Sequence, residues 1–172
     1  KDRKKLFWRV PFALLAVLIA SSAWADGQKI SGAIDAASAG CRAVSEKIHA
    51  WKELGQQEVK SSALLMEELR NYGFKVTGDL KVPADLIPGG VAKTAFRAEM
   101  AGKGPGPTVA IMLEYDALPN GHSCGHNLIA TSGLLAAAGL AKVMAETAGR
   151  VVVIGTPDEE RGSLGGGKIA LL

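Results

Sequence analysis

Along this chain the spacing of apolar positions changes from stretch to stretch, and each change marks an element. Lys60 to Tyr72 places Leu65, Leu69 and Tyr72 on one face, which predicts an amphipathic helix with Gly73 as its stop. "GFKV" (73–76) then opens an extended segment, and Pro83, Pro88, Gly89 and Gly90 mark a loop. Thr94 to Met100 alternates as a strand does, and "GKGPGP" (102–107) is a turn. Val109 to Leu113 is a continuous apolar run, which predicts a buried central strand. Leu128 to Glu146 reads as a helix rich in Ala and Leu, with Gly133 and Gly139 allowing close approach to a sheet. "GRVVVIGT" (149–156) is a second buried strand. Upstream, Asp26 to Ala39 is small and polar and reads as a linker leading into a first helix.

Strand, loop, helix and strand in that order make a βαβ unit. The predicted fold class is therefore α/β, a doubly wound and mostly parallel sheet, with the strands at 109–113 and 151–155 as parallel neighbours in its interior. "DALPNGHSCGHN" follows the carboxyl end of the first strand and "TPDEERGSLGGGK" that of the second. In open α/β sheets ligands bind at that edge, so the two loops are expected to share a site.

Residues 1–25 read differently from the rest. Lys1 to Arg9 is basic, Val10 to Ala20 is apolar, and Ala23-Trp24-Ala25 is a small-x-small cleavage site, the pattern of a secretory signal peptide. The apolar run falls short of the ~20 residues that span a bilayer, although an uncleaved anchor is the competing reading. The formal charge of the whole chain is +3, and this leader carries +4 of it, leaving −1 beyond Ala25. The basic balance belongs to export, and nothing favours a nucleic-acid partner. Export implies an oxidising compartment, in which a bond between Cys41 and Cys124 competes with a chemical role for Cys124. Cys41 has no neighbour that suggests chemistry and reads as a small buried side chain.

The chain has three histidines and two cysteines, and "GHSCGHN" (121–127) holds two and one of them. In a metal reading, Cys124 and His126 turn toward one point, while Glu159 and Glu160 add oxygen ligands and a base from the second loop. His122 is either a third ligand or a hydrogen-bonding residue within the loop. Asp116 either caps its turn or accepts a bond from a ligand imidazole. A serine nucleophile at Ser123 competes, because Gly121 to Gly125 spells G-x-S-x-G. That reading needs a strand running directly into the serine and a later histidine; Pro119 intervenes and no histidine follows His126. Gly162 to Lys168 fits G-x-x-x-x-G-K, but Ile169 stands where a phosphate loop needs Ser or Thr, and a flexible glycine turn is the simpler reading. His49 reads as a surface or capping residue.

"EYDALPNGHSCGHNLIAT" (114–131) and "VVVIGTPDEERGSLGGGKIALL" (151–172) resemble the co-catalytic metallopeptidases and amidohydrolases of peptidase family M-twenty. The closest branch in that resemblance is that of p-aminobenzoyl-glutamate hydrolase and aminoacylase-like enzymes, and "HAWKELGQQE" and "LRNYGFKV" match its N-terminal region in the same order. The resemblance implies that Cys124, His126 and Glu160 bind metal, that Glu159 is the general base, and that Asp116 supports a ligand. It implies one or two divalent ions per full-length subunit, zinc or manganese, and hydrolysis of an amide in an N-acyl amino acid, a small peptide or an aminobenzoyl-glutamate-like conjugate. A non-catalytic, exported metal-binding remnant is the alternative. Two positions depart from the wider family: Glu114 stands where a histidine is usual, and Asn127 replaces an aspartate. Family members are more than twice as long, with further histidines, a lid or dimerisation domain and, in full-length form, homodimers. Residues 26–172 are accordingly expected to be the N-terminal part of the catalytic domain, with little or no activity alone.

Overall fold

The computed structural model describes residues 12–164 and 166–171. The basic part of the expected leader, 1–11, lies outside the described residues, as does Gly165 of the glycine turn. Three long helices, four strands and a short C-terminal helix follow one another as α1 (Phe12–Trp51), α2 (Val59–Asn71), β1 (Lys75–Lys81), β2 (Val91–Ala101), β3 (Thr108–Leu113), α3 (His126–Ala141), β4 (Arg150–Gly155) and α4 (Gly167–Ala170). A 3-10 turn, Glu159–Leu164, precedes α4.

The strands form one sheet in the order β1-β2-β4-β3. β3 and β4 pair in parallel, from Thr108 opposite Arg150 to Leu113 opposite Gly155, and α3 connects them. The βαβ unit is therefore present. The other two pairings, β1 with β2 and β2 with β4, are antiparallel, so the α/β sheet is mixed and its parallel part is confined to that unit. Among the described residues β3 is also not central: it lies at one end of the sheet, with Val109 50% and Met112 43% exposed. A continuous apolar run cannot distinguish an edge strand from an interior one, because only the covered face is set locally. Ile111 and Leu113 face α3, where Gly133 lets the helix approach so closely that an added Cβ would lie 2.2 Å from Leu113.

α2 packs on β1 and β2, α3 packs on β3 and β4, and α1 crosses both helices. The expected linker at 26–39 is instead part of α1. Ile30, Ala33, Ile34, Ala37, Cys41, Val44 and Ile48 recur at helical spacing, and the half-buried members lead into fully buried Ile48. Gly139 of α3 lets Ile30 and Ile34 approach closely: an added Cβ would lie 3.0 Å from Ile30 and 3.1 Å from Ile34. Tertiary packing thus outweighs the low helix propensity of Gly27, Gly32 and Gly40. No helix among the described residues is long and apolar enough to cross a membrane. The main core gathers Ile48, Leu65, Leu69, Phe96, Leu113 and Leu134, all fully buried.

Gly155, the last residue of β4, lies against the Phe96 ring: an added Cβ would stand 2.2 Å from its Cε1. Phe96 is fully buried and stacks on Tyr115 with centroids 5.9 Å apart, so it has nowhere to go. Gly155→Ala should cost ~1–3 kcal/mol through overpacking, read as a lower urea midpoint. An unchanged midpoint would show that the ring can swing aside.

Candidate metal centre

Because β3 and β4 run parallel and end in register, their following loops leave the same edge. Thr156 extends the match by one residue, donating its N–H (2.8 Å) and its hydroxyl (3.0 Å) to the Leu113 carbonyl. Glu114, Tyr115 and Asp116 then run off β3, and Pro157 to Glu160 run off β4.

His126, the first residue of α3, brings the loops together. Gly125 before it is in the left-handed region (φ 77°), which suits glycine and turns the loop into the helix. The imidazole is buried, and its Nδ1 lies 2.8 Å from the Asp116 carboxylate and 3.1 Å from the Asp116 carbonyl oxygen. Two acceptors at Nδ1 place the proton there in the neutral ring and leave the Nε2 lone pair facing outward. It faces carboxylate oxygens of Glu114 (3.6 Å), Glu159 (3.7 Å) and Glu160 (3.8 Å). A lone pair opposite three carboxylates is repulsive unless a cation lies between them. The Asp116 hydrogen bond accordingly raises the His126 pKa above its ordinary value, against burial, with the charge of Glu114 adding to the rise. Burial pushes the Asp116 carboxyl up, but the His126 hydrogen bond and the Glu160 N–H (3.2 Å) outweigh it and hold the carboxyl below its usual range.

One donor atom each from Glu114, His126 and Glu159 lies within 4.8 Å of the others. Donors around one zinc at ~2.0–2.2 Å stand roughly 3–4 Å apart, so a buried imidazole and hard oxygens at this spacing fit a divalent ion. Lys168 places its ammonium on the same group, bonding Glu114 and, at 3.1 Å, Glu159. Its hydrogen bond to Glu114 raises the Lys168 pKa.

Cys124 sits apart from this tight group, exposed beside Glu160, whose carboxylate accepts from the thiol and pushes its pKa up. Cys41 is buried beside the Tyr72 hydroxyl (3.8 Å), and both cysteines are free. His122 turns away: its Nε2 meets the Ile48 carbonyl oxygen at 3.1 Å, and its ring stacks on exposed His49. Among the described residues no hydrogen bond joins Ser123 to a histidine.

Two residues of the site and one behind it have weak or misleading signals in the sequence. Glu114 was visible only as a departure, although its spacing of two from Asp116 puts both on one side of an extended segment. In the sequence Lys168 reads as the end of the glycine turn. Glu58 carried no local signal: it is fully buried and accepts the Thr94 hydroxyl at 2.8 Å and the Asp158 N–H at 2.7 Å.

No family model matches the chain. It is 51% identical to the Xaa-Arg dipeptidase of Mus musculus over 89 residues, 46% of this chain and 20% of that protein. It is 32% identical to thermostable carboxypeptidase 1 of Saccharolobus solfataricus over 140 residues, 73% of this chain and 33% of the relative. It is 31% identical to a p-aminobenzoyl-glutamate hydrolase chain of Escherichia coli, over 70% of this chain and 27% of the relative. A Bacillus subtilis dinuclear metal-binding peptidase of the M-twenty family superposes with a TM-score of 0.65 at 27% identity, covering 80% of this chain and 39% of the other. The chain belongs to this family of peptidases and amidohydrolases, and it spans about a fifth to a third of the length of the curated relatives it matches.

Burial lifts the Glu58 carboxyl to about 7, although bonds from Thr94 and Asp158 lower it in part. An acid whose folded value exceeds its unfolded value stabilises the fold in its protonated form. That contribution is complete below about 4.5, the ordinary value, and is lost as pH rises to about 7. Glu58→Gln should therefore gain on the wild type by up to ~3 kcal/mol between pH 4.5 and 8 in urea titrations, with the difference flat above pH 8. Parallel stability curves for the two proteins would show that Glu58 titrates normally.

Proposed function

We propose that this chain carries the metal-binding and base-bearing half of an active site that hydrolyses amide bonds. The observation that carries the reading is His126: its Nδ1 is locked by Asp116, and its Nε2 faces the carboxylates of Glu114, Glu159 and Glu160. In this reading His126, Glu160 and Cys124 hold a divalent ion, zinc or manganese, and Glu114 is the carboxylate the fold adds to that set. Either one or two ions are held in each copy of the enzyme. Cys124 must lose its proton to take part, because only the thiolate binds metal.

A bound divalent ion supplies polarisation of the amide carbonyl and an acidified water. The chain's own residues do the rest. Glu159 accepts the proton of the attacking water and hands it to the departing amine nitrogen. Lys168, bonded to Glu159 at 3.1 Å, holds that carboxylate in place before substrate arrives. Asp116 keeps the imidazole in one tautomer and one orientation. The substrate class is an N-acyl amino acid, a small peptide or an aminobenzoyl-glutamate-like conjugate. Relatives named as a dipeptidase, a carboxypeptidase and an aminobenzoyl-glutamate hydrolase support it. The complete enzyme works as a homodimer.

In a polypeptide that includes the rest of the family's catalytic domain, Glu159→Gln should lower turnover of an N-acyl amino acid by ~100-fold or more while metal content is unchanged. Glu160→Ala and Cys124→Ala should instead lower metal content, measured by atomic absorption after dialysis. Activity that survives a chelator and yields to a serine-directed reagent would overturn the metal reading and give the role to Ser123.

The chain is also exported in this reading, on the strength of the basic, apolar and Ala-x-Ala pattern of residues 1–25. Cleavage after Ala25 leaves Asp26–Trp51 as the remaining part of α1. N-terminal sequencing of protein from the cell envelope should read Asp26 first, and an intact Lys1 start in the membrane fraction would show an anchor instead.

A further inference from the structure

Glu159 and Glu160 sit on a turn that is not relaxed. Asp158, immediately before them, has φ 56°, in the left-handed region that non-glycine residues seldom enter and that aspartate tolerates better than most, so the turn is held by its hydrogen bonds as well as by its backbone. Two backbone N–H groups flank Glu159, and each ends on a carboxylate. The Glu160 N–H goes to Asp116, and the Asp158 N–H goes to Glu58 at 2.7 Å. Asp116 belongs to the site already described. Glu58 does not: it lies at the start of α2, behind the turn.

Glu58 is fully buried, and among the described residues no lysine or arginine lies within ion-pair distance of it. A buried acid without a cation is costly, so its retention calls for a use beyond packing. Its two oxygens are both engaged, one by the Asp158 N–H and the other by the Thr94 hydroxyl at 2.8 Å. Thr94 in turn accepts the Tyr115 hydroxyl at its carbonyl, and Tyr115 is the residue before Asp116. One chain of hydrogen bonds therefore runs behind the site from the loop after β3 to the loop after β4. The front of the turn is closed as well: Gln56 bonds the Asp158 carboxylate at 3.2 Å, and a Cβ on Gly55 would stand 2.0 Å from that carboxylate.

We propose that Glu58 is the positioning residue for the Glu159–Glu160 pair: its carboxylate accepts the Asp158 N–H, holds the left-handed turn, and so aims both glutamates at His126. The inference rests on the metal-centre reading for its consequence, and on the backbone geometry alone for its cause. Glu58 touches no reacting atom; it acts through Asp158.

The test uses the 172-residue chain with Glu58→Met, which keeps volume and removes the acceptor, and Glu58→Gln, which keeps an acceptor oxygen. Amide hydrogen exchange is read without metal, and affinity for zinc ion alone is read by calorimetry. In Glu58→Met the Asp158 amide should exchange at least ~10-fold faster while amides within α2 and β2 stay protected, and zinc affinity should fall at least ~10-fold. Glu58→Gln should restore both to within about threefold of wild type, because one hydrogen bond to the amide survives. Unchanged exchange and affinity in Glu58→Met, equal losses in both variants, or protection lost evenly across α2 and β2 would each overturn the proposal. If Glu58→Met does not fold, Thr94→Val, which frees one oxygen of the carboxylate, must show the same localised pattern at smaller size or the proposal falls. A wild-type chain that binds no zinc would sink the metal reading, and the exchange data would still decide the role of Glu58.

Discussion

The structure turns on one carboxylate. Asp116 receives the His126 ring N–H on one oxygen and the Glu160 backbone N–H on the other, at 2.8 and 3.2 Å. It thereby ties the start of α3 to the loop after β4 through hydrogen bonds to both. Its burial would favour the neutral acid, and the neutral acid would lose an acceptor for one of those donors. The two hydrogen bonds keep it ionised, and the ionised form keeps the imidazole in the tautomer whose free nitrogen faces the acidic gap. Without that orientation the remaining glutamates are a cluster of like charges with no nitrogen donor at their centre.

The fold makes that carboxylate reachable by ending two parallel strands level with each other. Leu113 pairs with Gly155, and the bonds from Thr156 to Leu113 carry the alignment one residue further. Behind the edge, Phe96 packs against Gly155 and stacks on Tyr115, so the hydrophobic core supports the residue next to Asp116 directly. The sheet itself is mixed and β3 lies at its edge, but neither feature touches the relation between the two loops.

Strain gathers around the same place. Among the described residues, four non-glycine residues have positive φ, and Lys52, Gln56 and Asp158 belong to the two segments that meet beside the site. A buried acid, left-handed side-chain-bearing residues and clustered carboxylates all lower stability. Their concentration at one edge, against an otherwise consistent apolar core, is what a site built for chemistry looks like. Lys168 offsets part of the negative charge by bonding Glu114 and Glu159.

Much of this was legible in the sequence, because local signals report local periodicity and short-range chemistry. The βαβ unit, α2, and the meeting of "DALPNGHSCGHN" with "TPDEER" at one sheet edge follow from apolar runs, Gly and Pro punctuation, and the rule that ligands gather at carboxyl ends of strands. The α1 stripe from Ile30 to Ile48 was also written in the sequence, and its small residues and glycines masked it as a linker. Other facts had no local signal. Whether β3 is central or at the edge depends on which strands pair beside it, and an apolar run reads the same in both places. Cys124 and His126 look equivalent by spacing, yet the turn into α3 buries the imidazole and leaves the thiol on the rim. Glu58 reads as an ordinary polar residue at a helix start. Only the tertiary structure brings it to an amide one hundred residues away, because hydrogen bonds between distant segments are set by how the elements pack and leave no period in the chain.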